Sequence, residues 1–384
     1  MLLNNAIFSH SCARIDRREM VCGGIAFLSL LAMLGGGVRP VRAANLAGAV
    51  PEIDKLSIRV LIDSYQFAVA PSRNAGNVEI NHFGWGLSPD AAPGKTLISE
   101  FGLSMYAQSK RGDETRNVLV DFGYTPEALL NNAALAGLDP ASLDAMVLSH
   151  GHYDHFGGMA GFLKARGGSL KPNLPLFIGG EEAFCARQWT GPPVKGDFGA
   201  IDRASIEAAK VALTYAEGPS LVADHGFTTG QIGATSFEKI LSPSVMKIGV
   251  AHGFGCYAEK LPEDERALTT APDQFRHEIA TAYNVRGRGL VVLTSCSHRG
   301  VVNAIKQAQA ASGVDKVHAV IGGFHLAPYK EDYLHDTIAA LKQIDLDYVI
   351  PLHCSGEAFY DMAKAEMPAK LLRSYTGTQF VFGA

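Results

Sequence analysis

Apolar runs and amphipathic stretches alternate along most of the chain. LSIRVLIDSY (56–65) and NVLVDFG (117–123) are rich in β-branched and aliphatic residues and carry an aspartate at the end of the apolar run, as strands do. In TPEALLNNAALAGLD (125–139), Thr125 can cap a helix, Pro126 takes its first position and Gly137 closes it. DAMVLSH (144–150) is an apolar run with the length of a buried strand. LVVLTSCSH (290–298), VHAVIGGFH (317–325) and YVIPLHC (348–354) repeat the pattern, with amphipathic helices predicted over 301–311 and 331–344. Strands alternating with helices predict an α/β domain. The stretch from about 160 to 289 is less regular. It holds Gly-rich turns and one predicted helix, SIEAAKVALTYAE (205–217), and reads as a large insertion over the site.

Four of these strands deliver a histidine at or near the C-terminal end: His150, His298, His325 and His353. Strand tips at one edge of a sheet are where α/β proteins build sites. One tip stands out. LSHGHYDHFGG (148–158) packs His150, His152, Asp154 and His155 into six residues. Imidazoles and carboxylates bury badly without partners, so packing does not account for the crowding. A cation does. His150 and His152 can converge on one metal from a tight loop, with Asp154 and His155 directed to an adjacent position. Imidazole suits zinc, iron, copper or nickel, and a catalytic site keeps one coordination position for water. The expected nucleophile is a metal-bound hydroxide steadied by Asp154. Two ions about 3.5–4 Å apart would share it and clamp a substrate oxygen.

Composition changes this picture little at the core and more at the start. Of 384 residues, 47% are hydrophobic and 19% charged, which is ordinary for a globular chain, and the net charge is −4. No Lys/Arg-rich patch occurs, so nucleic acid is not an expected partner. Arg14, Arg17 and Arg18 precede MVCGGIAFLSLLAML, followed by GGGVRPVRAAN. This is the pattern of a cleaved export signal ending at Ala43, with Arg17–Arg18 as a twin-arginine pair. The expected domains are therefore a signal peptide, 1–43, and a domain spanning 44–384. Removing 1–43 takes away five arginines and two acids, leaving 29 basic against 36 acidic residues and a net charge of −7. The expected location is periplasmic or secreted, with no stable membrane span after cleavage. Oligomeric state is not legible. Cys185, Cys256, Cys296 and Cys354 remain in the mature chain; an oxidising compartment permits disulfides, but the spacing dictates none. Cys296 and Cys354 sit beside candidate ligand histidines and read as buried thiols lining the site.

The His-x-His-x-Asp-His turn, its Gly pair and the later histidines resemble the metallo-β-lactamase superfamily. That resemblance implies the αββα sandwich, with His150, His152 and His298 on a first metal and Asp154, His155 and His353 on a second. It also implies that Asp121 ties the ligand loops together. Zinc is the implied cation, as one or two ions, with manganese and iron as alternatives. SEFGLSMY (99–106), SCSHRGVVNAI (295–305), IGGFHL (321–326) and PLHCSG (351–356) resemble more narrowly the branch containing the dihydropterin ribofuranosylaminobenzene-phosphate synthases. There are departures. Phe101 stands where the branch often has His. Gly230–Ala234 lacks the branch's Arg, a natural phosphate partner. Where the superfamily normally supplies a metal-bridging Asp, this chain has Gly322, Gly323 and His325, and His325 is a ligand, a hydrogen-bond donor to substrate, or neither.

The expected function is an exported metal-dependent hydrolase acting on a small ester, lactone, amide or phosphoester. Asp154 holds the nucleophile, and the metal or His325 stabilises developing charge. A mononuclear iron enzyme handling oxygen or a thiol, and a binding protein without turnover, are the alternatives. Among the other histidines, His225 and His252 fall in the insertion and either line the pocket or pack. Tyr153 either contacts substrate or packs.

Overall fold

Two β-sheets lie face to face, each covered on its outer side by helices. The computed structural model describes residue 46 and residues 50–83, 95–191 and 196–383. The expected signal peptide and most of the Gly/Pro-rich 83–95 loop lie outside these. Among the described residues, one sheet has nine strands. From edge to edge these are Ala212–Tyr215, Pro175–Ile178, Ala145–Leu148, Glu114–Val120, Ser104–Arg111, Lys55–Ile62, Gln379–Phe382, Val78–Asn81 and Arg73–Ala75. The other runs Ser220–Val222, Gly226–Thr228, Thr281–Val285, Gly289–Leu293, Val317–Gly323 and Tyr348–Leu352, with Glu52–Ile53 pairing parallel to Thr281–Val285.

Period-two alternation explains why the strands read as unbroken apolar runs. Ala145 and Val147 point into the core between the sheets, whereas Met146 and Leu148 point outwards to the helices Pro126–Leu135 and Met159–Arg166. On the other sheet, Val291, Leu293, Ala319, Ile321, Ile350 and Leu352 face inwards. Val292, Val320 and Val349 pack under Val301–Ser312, Glu331–Ile344 and Glu357–Glu366. Strands buried on both faces have no polar side to show. The layers are thus helix, sheet, sheet, helix, and the α/β sandwich expected from the sequence holds. Thr125 caps the first helix as expected, its Oγ1 accepting from Ala128 N at 3.3 Å.

The central strands run parallel: Ala145–Leu148 between Glu114–Val120 and Pro175–Ile178, and Val317–Gly323 between Gly289–Leu293 and Tyr348–Leu352. The loops after their C-terminal ends carry His150, His298, His325 and His353.

Two expectations need revision. The predicted 205–217 helix ends early: Arg203–Ala208 is helical, Lys210 turns in the left-handed region (φ 55°), and Ala212–Tyr215 becomes an edge strand parallel to Pro175–Ile178. Val211, Leu213, Thr214 and Tyr215 suit a strand, and an open sheet edge overrides their weak helical pattern. The 160–289 stretch also divides. Its first part and the segments 212–228 and 281–285 complete the two sheets, leaving a smaller piece beside the site. That piece is a four-stranded antiparallel sheet, ordered Gly196–Gly199, Ala186–Trp189, Ser244–Lys247, Thr270–Pro272. No helix among the described residues is long and apolar enough to cross a membrane.

Candidate metal centre

The six expected ligands are all buried and fall into two adjacent groups. His150, His152 and His298 form one, with ligand atoms all within 4.8 Å of one another; Asp154, His155, His353 and Cys296 form the second by the same measure. His150 and His298 have ring centroids 4.9 Å apart, and His152 and His298 4.7 Å. Asp154 Oδ2 lies 3.2 Å from His353 Nε2 and 3.7 Å from His155 Nε2.

The sequence folds this way because the loop is tied at its base. Asp121 Oδ1 accepts from Ser149 N and Oδ2 from Ser149 Oγ, both at 2.8 Å, while Oδ2 also accepts from His155 Nδ1 at 2.8 Å. With its proton given to Asp121, Ser149 Oγ accepts from His150 Nδ1 at 2.9 Å. Both imidazoles therefore carry their proton on Nδ1 and present a bare Nε2 to the site, the outer-shell arrangement that fixes a metal-binding tautomer. Gly151 is required by crowding. A side chain there would strike Ala183 O and the Arg187 guanidinium. Gly158 is pressed equally against Phe122 O.

Other buried carboxylates hold the remaining loops. Glu278 accepts from His298 N and Arg299 N, each at 2.8 Å, and Asp63 Oδ1 from His353 N at 2.8 Å. Asp121 (φ 59°), Ser297 (58°), His325 (46°) and His353 (48°) all sit in the left-handed region. Such conformations cost about 1–3 kcal/mol each and persist where the surroundings over-determine them. Asp63 was visible in the sequence only as another strand-end aspartate; Glu278 and Arg187 gave no signal. Arg187 is fully buried. It donates from Nε to Asp273 Oδ2 at 2.7 Å and from its Nη atoms to the carbonyls of Ala183, Cys185 and Glu182 at 2.8–3.1 Å.

Whether these residues suit a cation is tested by their unmet polar atoms. His150 Nε2, both ring nitrogens of His298, His353 Nδ1 and Asp154 Oδ1 are buried without a hydrogen-bond partner. So many buried polar atoms without a partner in one place is costly unless something binds there. Burial, then neighbouring imidazoles, push His150 and His298 well below their ordinary value, and burial takes His152 to about 3, so these three are neutral ligands at pH 7. Asp154 stays ionised: burial opposes its charge, but His155 and His353 hold it well below the carboxylate range. The donor set fits one or two divalent cations.

Several residues separate cleanly. His325 reaches the site, its ring 4.1 Å from that of His298 and its Nδ1 buried without a partner. His225 does not, being bonded to Ser109 Oγ at 3.0 Å, and His252 is exposed on a hairpin turn. Tyr153 packs edge-on against Tyr124 at 4.9 Å and Phe156 at 5.3 Å rather than facing the cavity. Cys185 and Cys256 form a disulfide, whereas Cys296 and Cys354 are free and buried, as the sequence reading has them.

The centre opens into a cavity of about 510 Å³. His152, Asp154, His298 and His325 form its floor, with Phe101, Trp189 and Phe198 also lining it. No Lys or Arg lines it among the described residues.

A further carboxyl, paired with Arg276 at 3.4 Å, has a pH consequence. Glu265 is buried; desolvation and then the charge of Glu182 push its carboxyl from 4.5 up to about 7. The native state therefore keeps a proton that the unfolded chain has lost, and the protein loses stability as pH rises from about 4.5 to 7. Glu265→Gln is expected to flatten that fall in melting temperature and to raise the value at pH 8. Parallel profiles for the two proteins would refute it.

Comparison with known proteins places this geometry. Residues 102–172 match the metallo-β-lactamase superfamily model. The chain is 28% identical, over 284 residues covering 73% of it and 89% of the relative, to a 7,8-dihydropterin-6-methyl-4-(β-D-ribofuranosyl)-aminobenzene-5′-phosphate synthase of Methanocaldococcus jannaschii. An uncharacterized protein of the same organism is 23% identical over 68% of this chain and 86% of its own length. Among solved structures, a metal-dependent hydrolase of the β-lactamase superfamily, Tm1679, superposes with a TM-score of 0.59 at 21% identity, covering 84% of this chain and 98% of that one. The resemblance read from the sequence therefore stands, for the superfamily and for the branch, and the fold is the metallo-β-lactamase fold.

Proposed function

We propose that this chain, which carries a metallo-β-lactamase superfamily domain, is an exported metal-dependent hydrolase of small carboxylic esters, lactones or amides with an apolar or aromatic portion. One observation carries the reading: the orphaned ligand atoms of two adjacent buried groups open directly onto an aromatic-lined cavity. A divalent cation at such ligands, with zinc the leading identity, polarises a carbonyl and makes water a nucleophile near neutral pH.

The chain's own residues supply the rest. Asp154 Oδ1 has no partner and belongs to a residue lining the cavity, so it can accept a hydrogen bond from an attacking water and hold that water in line. His325 Nδ1 sits across the cavity floor, where a protonated nitrogen can donate to the oxygen on which charge develops. Phe101, Trp189 and Phe198 give the cavity an aromatic wall that suits an apolar acyl or aryl group.

The lack of a lining cation among the described residues argues for a carboxyl rather than a phosphoryl substrate. In the Gly230–Ala234 stretch, Gln231 turns to Gly179 O at 2.8 Å instead of offering an anion a partner. Export is supported by the Arg17–Arg18 leader pattern and by the Cys185–Cys256 disulfide, a bond that persists in oxidising compartments.

The test is a matched panel on metal-loaded protein: phenyl esters and an N-acyl lactone against a diaryl phosphodiester. The carboxyl substrates are expected to exceed the phosphodiester in kcat/KM by at least about 100-fold, with loss on chelation. A reversed order, or no turnover of either, would overturn the reading.

A further inference from the structure

The superfamily's bridging carboxylate is missing from the expected strand tip, and the structure gives the reason. Gly322 (φ 140°) and Gly323 lie hard against the neighbouring strand's end. A side chain at 322 would collide with Thr294 O, and one at 323 with Ser295 O and Cys354 Sγ. No Asp fits there. The neighbouring tip instead brings in the thiol of Cys296, which is 2% exposed.

Its position is specific. Cys296 Sγ belongs to the compact group with Asp154, His155 and His353, and to another with His298 and His325. It therefore lies between the two sets of ligands. It sits 3.2 Å from His155 Nε2, the bare nitrogen left after Nδ1 is given to Asp121. Cys354 Sγ is 3.3 Å away and lies within 3.7 Å of Cys296 O. Without a cation, the Cys296 S–H can donate to His155 Nε2. A cation held by both sulfur and nitrogen would displace the thiol proton.

We propose that Cys296 is a metal ligand, its sulfur placed between the two histidine groups where it would hold a cation, with the Cys354 S–H donating to it. Binding a divalent cation releases one proton from Cys296 to solvent, with no change in oxidation state. A thiolate at that place biases the centre towards thiophilic cations such as zinc, cobalt or iron(II) and away from magnesium and calcium. This rests on the metal-centre reading above, but not on the identity of the substrate.

The experiment uses the full mature chain loaded with cobalt(II), with cobalt counted by mass spectrometry. The wild type is expected to show a thiolate-to-cobalt charge-transfer band in the near ultraviolet beside the visible d–d bands. Cys296→Ser should lose that band, keep the d–d bands and bind cobalt about 10- to 100-fold more weakly. Cys354→Ala should keep the band, shifted in energy. Bound cobalt should also protect Cys296 from alkylation. Cobalt protein with d–d bands but no charge-transfer band in the wild type would overturn the proposal without need of any variant. So would a band that survives Cys296→Ser, or a Cys296–Cys354 disulfide found in the metal-loaded protein. Ester turnover is read separately: a protein inactive on esters but showing the band keeps the ligand and loses only the proposed substrate, and an active protein lacking the band does the reverse.

Discussion

Asp154→Asn is expected to lower kcat/KM on the best carboxyl substrate by about 10²–10⁴-fold while leaving the fold intact. The carboxylate has two tasks that Asn cannot share. Oδ2 sits 3.2 Å from His353 Nε2 and supplies charge to the second ligand group; Oδ1 is unpartnered and belongs to a residue lining the cavity. Asn keeps the shape but brings no negative charge and no hydrogen-bond acceptor of comparable strength. Metal analysis should show the second cation weakened or lost and the His150–His152–His298 group still occupied. The two readouts together matter. Activity within about tenfold of wild type would remove Asp154 from the chemistry. Loss of both cations would instead mean that the two groups bind as one unit.

Arg187→Met is expected to destabilise the protein by about 3–5 kcal/mol, because it leaves a buried charge without its counterion. Arg187 and Asp273 both have fully buried side chains, and their contact at 2.7 Å is reinforced by three carbonyls, of which Ala183 O and Cys185 O have no other donor among the described hydrogen bonds. Met fills much of the volume but satisfies none of these groups. The effect should also reach the site, since Gly151 is packed on the guanidinium and His152 Nε2 lies 3.8 Å from Asp273. Cation affinity should fall with stability. Removing both partners, as Arg187→Met with Asp273→Leu, should restore part of the loss, because the unpaired carboxylate is then gone. Denaturant unfolding of the single and double variants measures this. A single variant within about 1 kcal/mol of wild type would show that the pair does not brace the loop.

Much of the site was legible because its residues are close in sequence or mark an element's end. The 150–155 turn announced itself by crowding groups that bury badly. His298, His325 and His353 were found because each follows an apolar strand. Asp121 needed the resemblance, yet its hydrogen bonds to Ser149 and His155 are what one buried carboxylate beneath such a turn would make. The Ala212–Tyr215 strand was missed because four residues of mixed pattern do not reveal which sheet edge stands beside them.

By itself, then, the sequence determined the α/β class, the strand tips that carry histidines and the metal-binding character of the 150–155 turn, while the layered sandwich and the full ligand set came with the resemblance. Local periodicity and residue type are sufficient for the first three, since each is set by burial and by what a side chain can bind. Tertiary structure alone decided that the 160–289 stretch divides between the two sheets and a small sheet beside the site. It also decided that Arg187, Glu278 and Asp63 hold the loops, and that Cys296 lies between the ligand groups. Each depends on residues tens to hundreds of positions apart meeting in a closely packed interior. There Gly322 and Gly323 are packed too closely for a side chain, and the neighbouring tip brings the Cys296 thiol beside the ligand groups.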